Sequence, residues 1–359
     1  MAVRSVVGIV GAAISGPGMI RGDGSSPQGG ISFVHTAGAG VGLFPNGLFP
    51  LYELGLRDQL DAISCEMESL SVWRGFPDGS HKFLNNVKNA GWAADLQTCP
   101  RIVERQRLRM MLLERFQDLG GEVCWNKKLA GLESLGSAGV RAVFTDGVSK
   151  NVDLIIGADG VWSTVRKHIL KERNPKTAEL RWVPPFVRVG GIYGISSDPG
   201  AVPDSNSQKL GASKEACLVL LDQGHIGALP LEDGKIAWTI QYTEKHAPER
   251  TTPIQKEEIS MSDPYQSKVV PGLYEPHSTA EFVRGYENIW HPTLGSFRPL
   301  FEASERIIRS PLRQFAWEQN EIQCGNVAVI GDAARVVPPY AGQGKSLTTI
   351  IEPLTCLFI

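Results

Sequence analysis

The segment DLIIGADGVWSTVR at residues 153–166 carries the clearest structural signal in the sequence. Its apolar run, residues 154–157, predicts a buried strand, and the polar loop that follows presents Asp159 between small residues. Ser163, three residues before Arg166, is typical of a helix N-cap. A buried strand that leads through a glycine-rich loop into a helix is typical of an α/β protein with a parallel sheet. A plain strand–turn–helix without any ligand is the alternative.

A second segment near the C-terminus repeats this logic. The run GNVAVIG at residues 325–331 predicts another buried strand, which ends at Gly331 and Asp332. The sequence PPYAGQG at 338–344 follows it. A carboxylate at a strand end suits a sugar hydroxyl, and a glycine-rich helix start suits a phosphate or an anionic ring. The alternative for this segment is a glycine-rich connecting loop.

The N-terminal segment is a weaker signal of the same kind. Residues 3–10, VRSVVGIV, predict a buried strand, and GAAISG at 11–16 is close to the dinucleotide fingerprint G-x-G-x-x-G. Ala13 stands at the second glycine position, where the backbone must approach a pyrophosphate, so one methyl group narrows that approach. A cofactor-binding turn and a plain tight turn both remain open on this motif alone.

The remaining pattern divides the chain into two kinds of structure. Residues 101–119 predict a long helix that ends at Gly120 and Gly121. From about residue 180 to 245, short strands of alternating polarity predict a mostly antiparallel lobe. The fold expected is therefore α/β, with a Rossmann-like domain interleaved with an antiparallel β-sheet lobe.

Composition excludes several classes of protein. The 359 residues are 42% hydrophobic and 21% charged, as in globular chains, and the formal net charge of −2 gives no case for nucleic acid or an anionic membrane. The six cysteines are scattered without a C-x-x-C pair, which indicates reduced thiols and no cysteine-rich metal site. No apolar run is long enough to span a bilayer. We therefore expect a cytoplasmic protein without a metal; its oligomeric state is left open.

Together these motifs resemble the class A flavoprotein monooxygenases, of the para-hydroxybenzoate hydroxylase and salicylate hydroxylase type. The resemblance covers nearly the whole chain. It includes GAGVGL at 38–43 with PNG at 45–47, Arg105-x-x-Leu108, the segment GADG-x-x-S-x-V-R, and GDAA followed by GQG at 342–344. The motifs stand in the order that this family has.

The resemblance implies a set of cofactor and substrate residues. Asp159 belongs to a motif that serves FAD and NAD(P)H, Asp332 would contact the FAD ribitol, and Arg105 would contact its phosphates. The other residues implied at the FAD site are Gly11, Ala13, Gly16, His35, Gly38, Gly40, Gly342, Gly344 and Lys345. Arg188 and Tyr193, on the first strand of the antiparallel lobe, are candidate catalytic residues; a surface arginine and a packed tyrosine are the alternatives.

The sequence departs from the family pattern at several positions. The segment PGMIRGDGSSPQGG at 17–30 replaces the first helix, and His35 stands where the family has the glutamate that holds the adenosine ribose. Arg335 replaces the histidine of GDAAH, and Pro353 interrupts the last helix. The chain also stops at Ile359, before the terminal helices of typical members, which suggests a truncated C-terminus.

The resemblance implies an oxidoreductase, a flavoprotein monooxygenase that uses FAD, NADPH or NADH, and O2. It would hydroxylate or epoxidise a small aromatic or polyketide/terpenoid-like substrate in secondary metabolism. The predicted FAD-binding segments are 1–70, 98–175 and 285–359, and the predicted substrate segments are 71–97 and 176–284. The alternatives are an inactive or impaired homologue with weak FAD binding, and a flavin dehydrogenase or halogenase-like relative.

Overall fold

A computed structural model describes residues 6–11, 39–89, 94, 96–197, 213–246, 248, 263–270 and 272–338. Its strands are β1 (Val7–Val10), β2 (Gly40–Leu43), β3 (Ser64–Glu66), β4 (Ser69–Gly75), β5 (His81–Lys88), β6 (Arg101–Glu104), β7 (Leu129–Ser134), β8 (Val140–Phe144), β9 (Ser149–Val152), β10 (Leu154–Gly157), β11 (Phe186–Ser196), β12 (Glu215–Leu221), β13 (Gly224–Pro230), β14 (Ile236–Thr243), β15 (Ser304–Arg313), β16 (Phe315–Ala316), β17 (Gln323–Cys324), β18 (Val327–Val329) and β19 (Arg335–Val336). Its α-helices are α1 (Pro45–Glu53), α2 (Arg57–Ile63), α3 (Arg105–Asp118), α4 (Thr164–Arg173), α5 (Ala178–Trp182), α6 (Pro276–Arg284), α7 (Arg298–Glu302) and α8 (Gln319–Ile322).

The three apolar runs that the sequence singled out form one sheet. Strands β1, β10 and β18 are parallel neighbours, and β17 is antiparallel to β18 at the edge. Helix α4 covers one face, where Val165 and Ile169 pack against Ile155 and Val329. Because the strands run in the same direction, the motif loops that follow them meet at one edge of the sheet.

Seven strands form the second sheet, in the order β15-β11-β14-β13-β12-β4-β5. Every neighbouring pair is antiparallel except β12 and β4, which confirms the predicted antiparallel lobe. Strand β15 pairs with β11 over most of its length. It therefore lies in the sheet, and not in the FAD-binding segment 285–359 to which the sequence assigned it. Nothing local in β15 distinguishes the two sheets, because the choice depends on the pairing with β11. The rest of the division into domains remains a prediction.

The two faces of this seven-stranded sheet have different neighbours. On one face, here the front face, Ala216, Ile195 and Ala237 pack against Ile102 of β6. On the opposite face, here the back face, Cys217, Trp238 and their neighbours pack against α6 and α7 through the main hydrophobic core. Alternate residues of a strand point to opposite faces, so register decides which side chains face β6.

The long predicted helix begins four residues later than the sequence indicated. Residues Arg101–Glu104 form β6, which lies between β2 and β3 in a three-stranded antiparallel sheet, and α3 starts only at Arg105. The run RIVE is apolar at its centre, and pairing on both edges favours the extended conformation there. Leu108 and Met111 of α3 pack with Leu48 and Leu60 beside this sheet.

In the part of the chain that the structure describes, no helix has the length and apolarity needed to cross a membrane. Within the same residues, no cluster of three or more His, Cys, Asp or Glu side chains has the arrangement of a metal site.

Candidate functional site

The carboxyl edge of the parallel sheet brings together three of the predicted cofactor residues. Gly11 follows β1, Asp159 follows β10 by two residues, and Asp332 follows β18 by three. The loops are tied by backbone hydrogen bonds: Ala158 N donates to Val10 O at 2.7 Å, and Ile330 N donates to Gly157 O at 2.9 Å. The crevice at the carboxyl ends of parallel strands is where open α/β sheets bind ligands.

Gly11 stands where no other residue fits. Its φ is +123°, and a Cβ placed on it would lie 2.3 Å from the carbonyl oxygen of Ala158. The first two motif loops therefore approach each other backbone to backbone. Ala13, Gly16, His35, Gly38, Gly342, Gly344 and Lys345 were predicted to complete the site, and they lie outside the described residues.

The carboxylate of Asp159 makes its hydrogen bonds to residues 163–165, which directly follow its loop. It accepts hydrogen bonds from Ser163 Oγ, from Thr164 N at 2.7 Å and from Val165 N at 3.2 Å, all at the start of α4. Ser163 Oγ in turn accepts from Arg166 N at 2.9 Å, as a helix N-cap does. Burial raises the pKa of Asp159, while these hydrogen bonds oppose the rise. Its carboxylate therefore shapes the loop that faces the crevice.

Arg166 ties two motif loops together, a role that the sequence analysis did not assign. Its buried guanidinium donates to Ala333 O at 2.6 Å, to Val161 O at 2.6 Å and to Trp182 O at 2.9 Å. Its Cζ lies 3.8 Å from the centre of the Trp317 ring. Burial lowers the pKa of Arg166 to about 10, so the side chain stays charged at neutral pH. The sequence feature that could have indicated this role is the arginine that ends the motif GADG-x-x-S-x-V-R.

Arg105, the first residue of α3, has a buried Nε that finds no hydrogen-bond partner in the structure. Burial lowers its pKa, and the negative charge of Asp332 opposes that change, so the two side chains lie close enough to interact. Arg109, one turn further along α3, also has a lowered pKa, from burial and from the charge of Arg105. Two neighbouring cations, of which Arg105 has a buried Nε–H without a partner among the described residues, fit an anionic group such as a phosphate.

The candidate catalytic residues lie in different surroundings. Tyr193 is on the front face beside Thr239, its direct cross-strand neighbour. The hydroxyls of both side chains are buried and have no hydrogen-bond partner in the part of the chain that the structure describes. Burial raises the pKa of Tyr193, so it is a neutral donor. Arg188 is exposed, with a φ of +58°, in an irregular stretch of β11 between Phe186 and Gly190. The sequence did not single out Thr239, because its position beside Tyr193 depends on the register between β11 and β14.

Gly40 is where β2 touches the front face of the seven-stranded sheet. A Cβ on Gly40 would lie 2.4 Å from the Cβ of Ala237, so β2 rests directly on β14. Thr239 stands two residues beyond Ala237 on the same face of β14. The buried hydroxyl pair therefore lies next to the contact between the two sheets.

Solved structures with a similar fold include two hydroxylases. The 2,6-dihydroxypyridine-3-hydroxylase from Arthrobacter nicotinovorans superimposes with a TM-score of 0.67 at 20% identity, covering 96% of this chain and 81% of that one. A salicylate hydroxylase in complex with its substrate gives a TM-score of 0.63 at 16% identity, covering 96% and 77%. The fold predicted from the motifs is thereby confirmed.

Curated relatives give the same class of protein. The FAD-dependent monooxygenase paxM of Penicillium paxilli is 27% identical over 326 residues, which are 86% of this chain and 58% of that protein. No protein-family model matches the chain. The chain is a homologue of FAD-dependent monooxygenases, in agreement with the class A flavoprotein resemblance of its motifs. It spans less than two thirds of the length of paxM.

Proposed function

We propose that the chain is an FAD-dependent monooxygenase, an oxidoreductase that takes electrons from NADPH or NADH and uses O2. Its substrate would be a small aromatic or polyketide/terpenoid-like molecule that is hydroxylated or epoxidised, as in secondary metabolism. The observation that carries this proposal is the buried Nε of Arg105, which has no hydrogen-bond partner among the described residues, together with the charge interaction between Arg105 and Asp332.

The described residues fit FAD in three ways. Arg105, with its buried Nε–H, would supply a cation for the phosphates, and Asp332 would supply a carboxylate for a ribitol hydroxyl. Gly11 lets the loop after β1 lie backbone to backbone against the loop after β10, so both loops can face a pyrophosphate at this edge. Asp159 supports the site through its loop, and Gly40 lies where that site meets the sheet. When bound, FAD supplies the redox chemistry and the activation of O2.

By resemblance to the family, residues outside the described part of the chain would complete the proposed FAD site. Ala13 and Gly16 are proposed for the pyrophosphate contact, and His35 and Gly38 for the adenosine side. Gly342, Gly344 and Lys345 would lie along the flavin ring.

The sheet face would hold and orient the substrate. Tyr193 donates a hydrogen bond to a polar group of the substrate, and Thr239 can donate or accept one. Both hydroxyls are shielded from water, so such hydrogen bonds are made in a low-dielectric environment. Arg188 is exposed and is the weaker candidate for a contact with the reacting atoms.

The first experiment measures FAD binding by wild type and by Arg105→Met. Loss of a charge-assisted hydrogen bond costs about 1.5–3 kcal/mol, so we expect the Kd for FAD to rise roughly 10- to 150-fold. The measurement is a titration of flavin fluorescence, together with co-elution of the flavin absorption band with the protein.

Arg107→Met is the matched control. Arg107 is on the same helix, and its guanidinium pairs with the exposed Asp233 at 2.6 Å, away from Asp332. Its Kd for FAD should stay within about twofold of wild type. Equal FAD binding by Arg105→Met and wild type would contradict the assigned phosphate contact.

The same titration decides between an active enzyme and an impaired homologue. Wild type that binds FAD and oxidises NADPH faster with a phenolic or polyene compound supports the monooxygenase. Relatives named as monooxygenases do not favour the impaired homologue. Wild type without any FAD binding would restore that alternative.

A further inference from the structure

Strand β5 forms one outer edge of the seven-stranded sheet. In the part of the chain that the structure describes, it pairs with β4 on one side and with no strand on the other. In an antiparallel pair, alternate residues direct their backbone N–H and C=O groups away from the partner strand. Strand β5 has eight residues and no proline, so its free edge presents a row of backbone donors and acceptors.

The opposite edge of the same sheet is not free in this way. Strand β15 forms that edge, and Val269 makes a parallel bridge to its residue Ile307. Val270 N also donates to Ile307 O at 2.8 Å. A connecting segment therefore uses part of the outer edge of β15, whereas β5 has no such contact among the described residues.

The side chains of β5 are as open as its backbone edge. Seven of its eight residues are exposed, and the eighth is half-buried. Three of them are large and apolar: Phe83, Leu84 and Val87 are 49%, 46% and 42% exposed. A strand added at this edge would cover apolar surface here in addition to pairing with the backbone.

The charges of β5 select between possible occupants of the edge. Lys82 and Lys88 stand near its two ends, neither forms an ion pair with a described residue, and the strand contains no Asp or Glu. Antiparallel pairing with β5 of a second copy would bring Lys88 of each copy opposite the basic residues His81 and Lys82 of the other. Like charges directly opposite each other destabilise a strand pair, whereas an acidic strand is attracted at both ends.

We propose that β5 is the docking edge for an extended, acidic segment of a partner protein, which joins the sheet as an eighth strand. Backbone hydrogen bonds restrict the ligand to an extended polypeptide, because only such a chain matches a row of alternating N–H and C=O groups. Lys82 and Lys88 add the preference for carboxylates, and Phe83, Leu84 and Val87 add apolar contact. None of these residues belongs to the proposed FAD site.

Three fluorescein-labelled peptides test the proposal by fluorescence polarisation with the purified chain. The first is GEVTVTVEG, whose two glutamates have the spacing of Lys82 and Lys88. The second is GKVTVTVKG, which reverses the charge. The third is the acidic peptide with N-methyl groups at its five central residues, which keeps the side chains and blocks backbone pairing on both edges.

We expect the acidic peptide to bind with a Kd of about 100 µM or lower, and the other two at least tenfold more weakly. Absence of binding by the acidic peptide would overturn the proposal. Equal binding of the N-methylated peptide would overturn it as well, because backbone pairing would then not be the mode of recognition.

Two double variants with the same change of charge locate the bound peptide. Lys82→Glu with Lys88→Glu should weaken binding of the acidic peptide at least tenfold and strengthen binding of the basic one. Lys128→Glu with Lys150→Glu changes two exposed lysines outside the seven-stranded sheet and should bind as wild type does. Thermal unfolding checks that both variants are folded. Equal weakening in the two variants would reduce the effect to overall charge and refute the assignment to β5.

Sedimentation velocity tests a second copy as the occupant. Leu84 has no residue directly opposite it on β4, so Leu84→Asp changes the free edge and leaves the pairing with β4 in place. We expect the same oligomeric state for wild type and Leu84→Asp. A wild-type dimer that Leu84→Asp dissociates would assign the edge to a second copy and overturn the proposal.

Discussion

Single side chains in this protein show how burial fixes a protonation state. His291 is buried, and its Nδ1 accepts hydrogen bonds from the backbone N–H groups of Thr293 and Leu294, in the turn after His291. No carboxylate is among the causes of its lowered pKa, which is due to burial alone. The ring therefore stays neutral in the folded state at pH values at which an unfolded histidine is protonated.

This side chain predicts a pH dependence of stability. Between pH 6.5 and about 3 the unfolded chain binds a proton at residue 291 that the folded chain does not bind, so acid favours unfolding. The contribution is about 1.4 kcal/mol per pH unit well inside this window. His291→Asn has no titrating group there. We expect its free energy of unfolding to fall less steeply than that of wild type between pH 6 and 4.5.

Urea unfolding at pH 6.5, 5.5 and 4.5 measures how the free energy of unfolding changes with pH in wild type and in His291→Asn. Exposed His277 provides the control, because His277→Asn should leave the slope of wild type unchanged. Parallel pH profiles for wild type and His291→Asn would contradict the assigned neutral state.

At the scale of elements, the proposed cofactor edge is held by contacts between loops more than by the strands themselves. Strands β1, β10 and β18 have only three or four residues each. The loop after β10 is shaped by Asp159 and Ser163 at the start of α4, and Arg166 of the same helix reaches the loop after β18. Helix α4 thus fixes the relative position of two motif loops.

Replacing Arg166 by methionine should destabilise this edge. The change keeps much of the apolar stem and leaves three carbonyl oxygens without their donor, so we expect a loss of about 3 kcal/mol or more in the free energy of unfolding. Arg166→Lys should recover only part, because an ammonium group cannot span the same three acceptors.

Chemical denaturation measures this loss, and FAD titration of the folded fraction separates it from binding. Arg173→Met, in the last turn of α4 where the arginine contacts the carbonyl of Gln323 at the surface, is the control and should cost less than 1 kcal/mol. A wild-type free energy of unfolding in Arg166→Met would show that the loops are held in another way.

At the scale of the whole molecule, the three-stranded sheet of β2, β6 and β3 is joined to the seven-stranded sheet by packing and by an ion pair. Ile102 packs into the front face, and Gly40 rests against Ala237. Beside this contact, Arg306 of β15 donates to Glu104 at the end of β6, and both side chains are largely buried. The interface therefore combines apolar contact with a shielded charge pair.

Removing only one partner of the Arg306–Glu104 ion pair should destabilise the protein more than removing both partners. Arg306→Met leaves the largely buried carboxylate of Glu104 with only its longer ion pair, at 4.0 Å, to Nε of Arg107, and we expect a loss of about 2–3 kcal/mol in the free energy of unfolding. The double variant Glu104→Gln with Arg306→Met should lose less than Arg306→Met alone. A double-mutant cycle in urea gives the coupling energy, and additive losses would show that the pair does not stabilise the interface.

The sequence by itself determined the elements and the kind of site. Continuous apolar runs that end in glycine-rich loops are local patterns, and they identified the three parallel strands and the candidate residues Gly11, Asp159 and Asp332. The alternating strands of 186–243 likewise indicated the antiparallel lobe. Where local pattern and pairing disagreed, as at residues 101–104, the sequence was wrong because helical periodicity continued into a strand.

Only the tertiary structure decided what these elements bring together. Arg105 meets the charge of Asp332, Tyr193 stands beside Thr239, Arg166 reaches Ala333, and Trp73 lines a cavity with His291. Each of these relations joins residues that are 46 or more positions apart, through sheet order and register. A shift of one residue in register moves a side chain to the other face, and periodicity along the chain contains no information on that choice.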